Sequence, residues 1–163
     1  MRGALSRART EDQKLFRRQQ ILEAAKAHYD DVGYESFSMA NLAKLAGVAK
    51  GTLYLYFLTR EEVFLALYTQ SLLRWSDSFV AGLHKDMSDT DYCQKLHNSA
   101  MADGGFVPLL VRLEHMIEHN VSFERLIESK RLFAERIDYI ARVSAPVLDL
   151  TQSQAVRLIK VLG

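Results

Sequence analysis

A chain of 163 residues is long enough to bury the core of one or two small domains. With 48% apolar and 25% charged residues and a net charge of +1, it is not disordered by composition, and no apolar run approaches the roughly 20 residues of a membrane span. The Arg-rich start, with no apolar stretch behind it, does not read as a secretory signal. The single cysteine, Cys93, excludes an intrachain disulfide and fits a reducing cytoplasm, with an unreactive thiol as the expected state.

Residues 1–13 carry Arg2, Arg7 and Arg9 among small and polar residues and read as a mobile basic tail. The first helix is expected from about Glu11 to Asp31, with Leu15, Ile21, Leu22, Ala25 and Tyr29 at three- and four-residue steps. Gly33 ends it, and Phe37 is expected beneath a small helical head. Ser38 is a good N-cap, and Leu42, Leu45 and Ala46 follow at helical spacing. Gly47 closes that short helix, being the residue that takes a left-handed C-cap at least cost. A second short helix from Ala49 to Phe57 turns Leu53 and Phe57 inward and leaves Lys50, Thr52, Tyr54, Leu55 and Tyr56 outside.

Thr59-Arg60-Glu61-Glu62 is a capping box. It starts a long helix, to about His84, that carries Val63, Phe64 and Leu67 toward the head and Leu72, Trp75 and Phe79 toward a different core. Residues 85–91 are polar and read as a connector. Asp91 to Met101 is weakly helical, with Leu96 and Ala100 inward, and Asp103-Gly104-Gly105 breaks the chain. Phe106 to His119 is another helix, with Pro108 tolerated in its first turn. Ser122 caps the next, whose stripe runs Phe123, Leu126, Ile127, Lys130, Phe133, Ile137, Ile140 to about Val143. Pro146 stops it, and Thr151 to Leu162 is a final helix with Val156, Ile159 and Leu162 apolar. No alternating strand pattern stands against these periods, so the fold class is all-α.

A short helix, a Gly-containing turn and a second short helix that opens on basic and hydroxyl residues is the layout of a DNA-reading helix-turn-helix. The charge is divided to match. Residues 1–60 hold ten Lys and Arg against six Asp and Glu, and the rest hold eleven against fourteen. Affinity for DNA rests largely on phosphate neutralisation, so the basic half is where a DNA-binding head belongs.

The run Leu42-Ala43-Lys44-Leu45-Ala46-Gly47-Val48-Ala49-Lys50-Gly51-Thr52-Leu53-Tyr54-Leu55-Tyr56-Phe57, with Arg60-Glu61-Glu62-Val63-Phe64 after it, resembles the DNA-binding signature of the TetR (tetracycline-repressor-like) regulators. Ile21-Leu22-Glu23-Ala24-Ala25 and Gly33-Tyr34 fit the family's first helix, so the resemblance covers about residues 17–68. It implies a three-helix DNA-binding head over residues 14–68, joined by a long shared helix to a helical ligand-binding and dimerisation domain over residues 69–163. Because the family's last two helices usually make the dimer, the second domain looks C-terminally incomplete. The resemblance places Lys50, Gly51, Thr52 and Leu55 at base edges, and Ser38, Tyr54, Tyr56 and Arg60 at phosphates. Two departures are visible: Leu58 where the family often has a basic or small residue, and Ala49 where it often has Ser or Thr.

His115-Met116-Ile117-Glu118-His119 is a literal H-x-x-E-H, in which two histidines four apart on one helix face can bind zinc beside a glutamate base. The string is short and no further ligand can be assigned, so a solvated helix face is the plainer reading. Trp75, Phe79, Phe106, Met116, Phe133 and Tyr139 read first as core. In TetR-like proteins a small-molecule pocket lies among such helices, and the candidates to line it are Trp75, Phe79, Arg112, His115, Met116, His119 and Phe133.

The sequence is thus read as a cytoplasmic, non-enzymatic transcriptional regulator without metal or other cofactor. Its expected partners are double-stranded operator DNA, a small-molecule effector and a second copy of itself, and its expected action is that of a ligand-responsive repressor on a palindromic operator. The competing readings are a zinc-dependent hydrolase through His115, Glu118 and His119, and a helical interaction protein without DNA binding.

Overall fold

Local sequence decides where the helices begin and stop. The computed structural model of the chain describes residues 2–102, 107–111 and 120–162, and every regular element among them is a helix. The chain divides into two compact units, Met1–Leu67 and Tyr68–Gly163.

The first unit holds α1 (Arg2–Ser36), α2 (Met39–Leu45), α3 (Lys50–Tyr54) and the opening turns of α4 (Arg60–Ala81). The expected tail is not separate from the first helix, because the backbone is already helical at Arg2. Ala, Leu, Arg, Glu and Gln predominate there and no proline intervenes, so nothing in the segment opposes helix propagation. The run of α1 is interrupted at Gly33, which takes φ 71° and ψ −178° before a last turn to Ser36. Ile21, Leu22 and Ala25 are fully buried, as their spacing predicts, but Leu15 is exposed and His28 is buried instead.

Around Phe64 of α4 gather the rings of Tyr29, Tyr34 and Phe37, with centroids 5.4, 4.9 and 4.8 Å away. Phe37 also lies 4.8 Å from the His28 ring, so the residue expected beneath the head is its centre.

The second unit holds the rest of α4, α5 (Asp89–Ala102), a helical stretch at 107–111, α6 (Phe123–Ser144) and α7 (Gln152–Leu162). Helix α4 ends at Ala81, three residues short of the expected His84, and runs out through tight turns in which Gly82 and Leu83 donate to the carbonyls of Phe79 and Val80. Helix α5 starts earlier than expected because Ser88 caps it: its hydroxyl accepts from the Asp91 N–H at 3.1 Å and donates to the Asp91 carboxylate at 2.7 Å.

Side-chain bonds among the described residues tie the elements of this unit. Trp75 Nε1–H donates to Ser99 Oγ at 3.1 Å, joining α4 to α5. The Tyr92 hydroxyl donates to Ser144 Oγ at 2.8 Å, joining α5 to α6 in a site closed to water. Arg136 meets Asp77 at 3.1 Å, joining α6 to α4. Phe79 stands between the ring of Trp75, stacked at 6.0 Å, and that of Tyr92, edge-on at 5.5 Å.

The apolar stripe of α6 is buried from Ile137 onward, while Phe123, Ile127 and Phe133 are exposed. α7 begins with a second capping box: Gln154 N–H donates to Thr151 Oγ1, and Thr151 N–H donates to Gln154 Oε1. It packs against α6 with Ala155 and Ile159 buried, so this face is covered within the chain. Among the described residues no helix is long and apolar enough to cross a membrane.

Candidate nucleic-acid interface

The site is built on two short helices whose ends are fixed by bonds within a few residues. Ser38, in extended conformation, accepts the Asn41 N–H on its hydroxyl at 3.2 Å and so starts α2. At the other end Gly47 takes φ 64°, the Gly47 N–H reaches the Lys44 carbonyl at 3.1 Å and the Val48 N–H reaches the Ala43 carbonyl at 3.0 Å. These are the two bonds of a Schellman motif, and they satisfy carbonyls that the helix end leaves free. The turn they lock sets the angle at which α3 leaves α2.

Helix α3 has Ala49 at its N-cap, with no side-chain bond there, as the replacement of Ser or Thr predicts. It is shorter than expected. Regular helix stops at Tyr54, and Leu55 is its C-cap. The chain then tightens through Leu55 N–H to Thr52 O at 3.2 Å and Tyr56 N–H to Leu53 O at 3.0 Å. Leu53 and Phe57 are fully buried and anchor this segment to the core of the unit. Each such burial is worth roughly 1.5–3 kcal/mol.

Opposite that anchor, Lys50, Gly51, Tyr54 and Leu55 are exposed, while Thr52 and Tyr56 are half-buried. Leu55 is 84% exposed. Leu45, set at helical spacing with Leu42, is exposed too, because it lies about 110° round the helix from the centre of the buried Leu42–Ala43 face.

Arg60 sits at the first turn of α4, half-buried. Its Nε donates to Glu61 at 2.9 Å and its guanidinium lies 4.6 Å from the centre of the Tyr34 ring. The bond to Glu61 raises its pKa above the ordinary arginine value, and burial opposes this. Thr59 caps α4 as expected, accepting the Glu62 N–H at 3.2 Å. The Glu62 carboxylate accepts the Leu58 N–H at 2.9 Å. That bond occupies the backbone donor of the residue whose side chain departs from the family pattern.

Two cations that the sequence reading did not single out lie beside this face. The Arg18 guanidinium is 5.1 Å from the centre of the Phe57 ring. Lys14 bonds Glu11 at 2.9 Å, and its pKa is raised first by that bond, with Tyr56 contributing less. Their four-residue spacing on α1 was the available signal, since it puts both on one helix face.

The candidate effector residues fare differently. Trp75 and Phe79 are buried in the second unit's core and Phe133 is 37% exposed. Arg112, His115, Met116 and His119 lie outside the described residues, as does the whole H-x-x-E-H string. Among the described residues no group of three His, Cys, Asp or Glu side chains is placed to hold a metal ion.

Comparison with known proteins agrees along nearly the whole chain. Residues 21–67 match the family model for bacterial regulatory proteins of the tetR family, and residues 69–162 match a tetracyclin repressor-like C-terminal domain. The chain is 43% identical over 56 residues to the uncharacterized HTH-type transcriptional regulator YhgD of Bacillus subtilis, covering 34% of this chain and 29% of that protein. It is 31% identical over 77 residues to the fatty acid metabolism regulator protein of the same organism, covering 47% of this chain and 38% of that protein. The matched stretches thus span well under half the length of these relatives. In fold it is similar to the multidrug binding protein EbrR, solved with imidazole, with a TM-score of 0.64 at 21% identity, covering 90% of this chain and 79% of that one. The family is one of regulators and not of enzymes, which leaves the H-x-x-E-H string without a peptidase to belong to. With a head model and a C-terminal-domain model meeting at the junction of its two units, the chain belongs to the tetR family of bacterial regulatory proteins.

Proposed function

We propose that the protein is a ligand-responsive transcriptional repressor that binds a near-palindromic operator as a homodimer, with residues 14–68 as the DNA-binding part and residues 69–163 as the ligand-binding and dimerisation part. The observation that carries this reading is the face of α3. A helix held rigidly by Leu53, Phe57 and the Gly47 turn presents Lys50, Gly51, Tyr54 and Leu55 to solvent, in the half of the chain with surplus positive charge. In this reading Lys50, Gly51, Thr52 and Leu55 meet base edges. Ser38, Tyr54, Tyr56 and Arg60 meet phosphates, with Lys14 and Arg18 adding charge at the flank. Ser38 can do so while capping α2, since its hydroxyl hydrogen remains available to donate.

The effector is a small, largely apolar molecule received among the aromatic residues of the second unit, near Trp75 and Phe79. It acts by favouring a state of the dimer that no longer fits two successive major grooves, which requires different affinities for the two states.

The test is selection of bound duplexes from a random pool, followed by anisotropy titration at several salt concentrations. Binding should fall steeply with salt. Lys50→Ala should cost about 1–3 kcal/mol and relax specificity at one position, whereas Tyr54→Phe should weaken all sequences alike. No enrichment of any sequence, together with salt-independent binding, would remove the proposal.

A further inference from the structure

We infer that Leu55 is a specificity-determining residue and that the group it reads is the C5-methyl of thymine in the major groove. This rests on the DNA-binding function proposed above.

Leu55 is the most exposed large apolar side chain among the described residues, at 84%. It does not belong to a loose segment. The bonds from Leu55 and Tyr56 N–H to Thr52 and Leu53 carbonyls fix the backbone on both sides, and Leu53 and Phe57 are wholly buried two residues either way. The fold therefore holds a leucine out in water at a defined position, which costs the burial that a leucine ordinarily gains.

The chemistry of that face narrows what covers it. Leu55 lies on the same short segment as exposed Lys50, in a half of the chain with excess Lys and Arg, which suits a polyanion and disfavours an apolar protein surface. Leu58, three residues on, is 68% exposed, and its backbone N–H is taken by Glu62 at 2.9 Å. With that N–H occupied, Leu58 has no donor left for a phosphate and offers the solvent only its apolar side chain. On the edges of base pairs in the major groove, the apolar group is the methyl of thymine. Adenine, guanine and cytosine present donors and acceptors there without a methyl beside them, whereas thymine adds the methyl to its O4 acceptor. A leucine on the reading helix thus selects for thymine by contact and against the other bases by desolvation.

The experiment replaces each thymine of the selected operator, one at a time, by deoxyuridine, which removes the methyl and leaves the pairing edge intact. Wild-type protein should lose affinity about fourfold at one thymine in each half-site, the value of one buried carbon group. It should lose nothing at the remaining thymines. Leu55→Ala, at so exposed a position, leaves the fold intact and should bind thymine and uracil operators equally, while Leu55→Met keeps the discrimination. Leu15→Ala, which removes a leucine 65% exposed on α1, should leave the wild-type pattern unchanged. A flat uracil scan with tight, salt-dependent DNA binding would overturn the inference and leave the DNA-binding reading standing, and so would discrimination that survives Leu55→Ala. Failure to bind any duplex would overturn both.

Discussion

Two buried tyrosine hydroxyls show what a single polar group costs in this chain. Tyr92 is 1% exposed, and its hydroxyl donates to Ser144, itself fully buried. Removing one member strands the other, at about 1–3 kcal/mol, whereas removing both strands nothing. Tyr92→Phe and Ser144→Ala should therefore each lower stability in urea, and the double variant should recover part of the summed loss. Tyr68 is 3% exposed, and burial pushes its pKa up to about 12. Burial raises Tyr92 as well, with the Ser144 bond opposing. A tyrosine raised in the folded state keeps its proton after the unfolded chain has lost it. The stability it supports below about pH 10 is then lost as pH climbs toward about 12. Urea unfolding across that window should show falling stability, and Tyr68→Phe should flatten the fall. An unchanged slope would mean that Tyr68 titrates as in the unfolded chain.

At the scale of elements, the helix ends carry most of what aims the reading helix. Gly47 holds φ 64° with open space where a side chain would begin, so substitution there is opposed by backbone conformation alone. Gly47→Ala should cost about 1–2 kcal/mol. It should also weaken operator binding by more than the stability loss accounts for, because the Schellman bonds set the departure of α3. Equal losses for the two measurements would make the turn a stabiliser and not an aiming device. Thr59 and Glu62 do the same for α4, bonding the Glu62 N–H and the Leu58 N–H in turn. Thr59→Ala should cost about 1 kcal/mol, the usual value of an N-cap, read from thermal or urea unfolding.

For the whole molecule, α4 is the element of interest, since its residues 60–67 belong to the first unit and the remainder to the second. Arg60, a proposed phosphate contact, belongs to the first unit and Trp75, beside the proposed effector site, to the second, and both are residues of α4. Packed interfaces switch between discrete arrangements more readily than they bend. Trp75→Leu is therefore expected to alter effector-induced release of operator DNA while leaving the affinity of the free protein near wild type. Anisotropy titrations with and without the effector, alongside urea unfolding to confirm the fold, measure both. Unchanged coupling in a folded variant would take α4 out of the route. Trp75 is also the chain's one tryptophan, so quenching of its fluorescence by small apolar compounds is a direct search for that effector.

The sequence by itself determined what depends on neighbours within about four residues. Ser38, Gly47, Thr59 and Ser122 were legible as caps because the N–H and carbonyl groups they serve lie in the adjoining turn. The inward Leu53 and Phe57 were legible from helical spacing, and with them the helix-turn-helix and its exposed face. Tertiary structure decided which side of each stripe is covered, and by what. Leu15 and Leu45 sit at apolar positions yet face water, while His28 and Tyr92 are buried. Tyr92 meets Ser144 across 52 residues of chain, and Arg18 reaches Phe57 from a different helix. No local spacing encodes such pairs, because they form only when separate helices are brought together, and a side chain's burial is fixed by the element that lands on it.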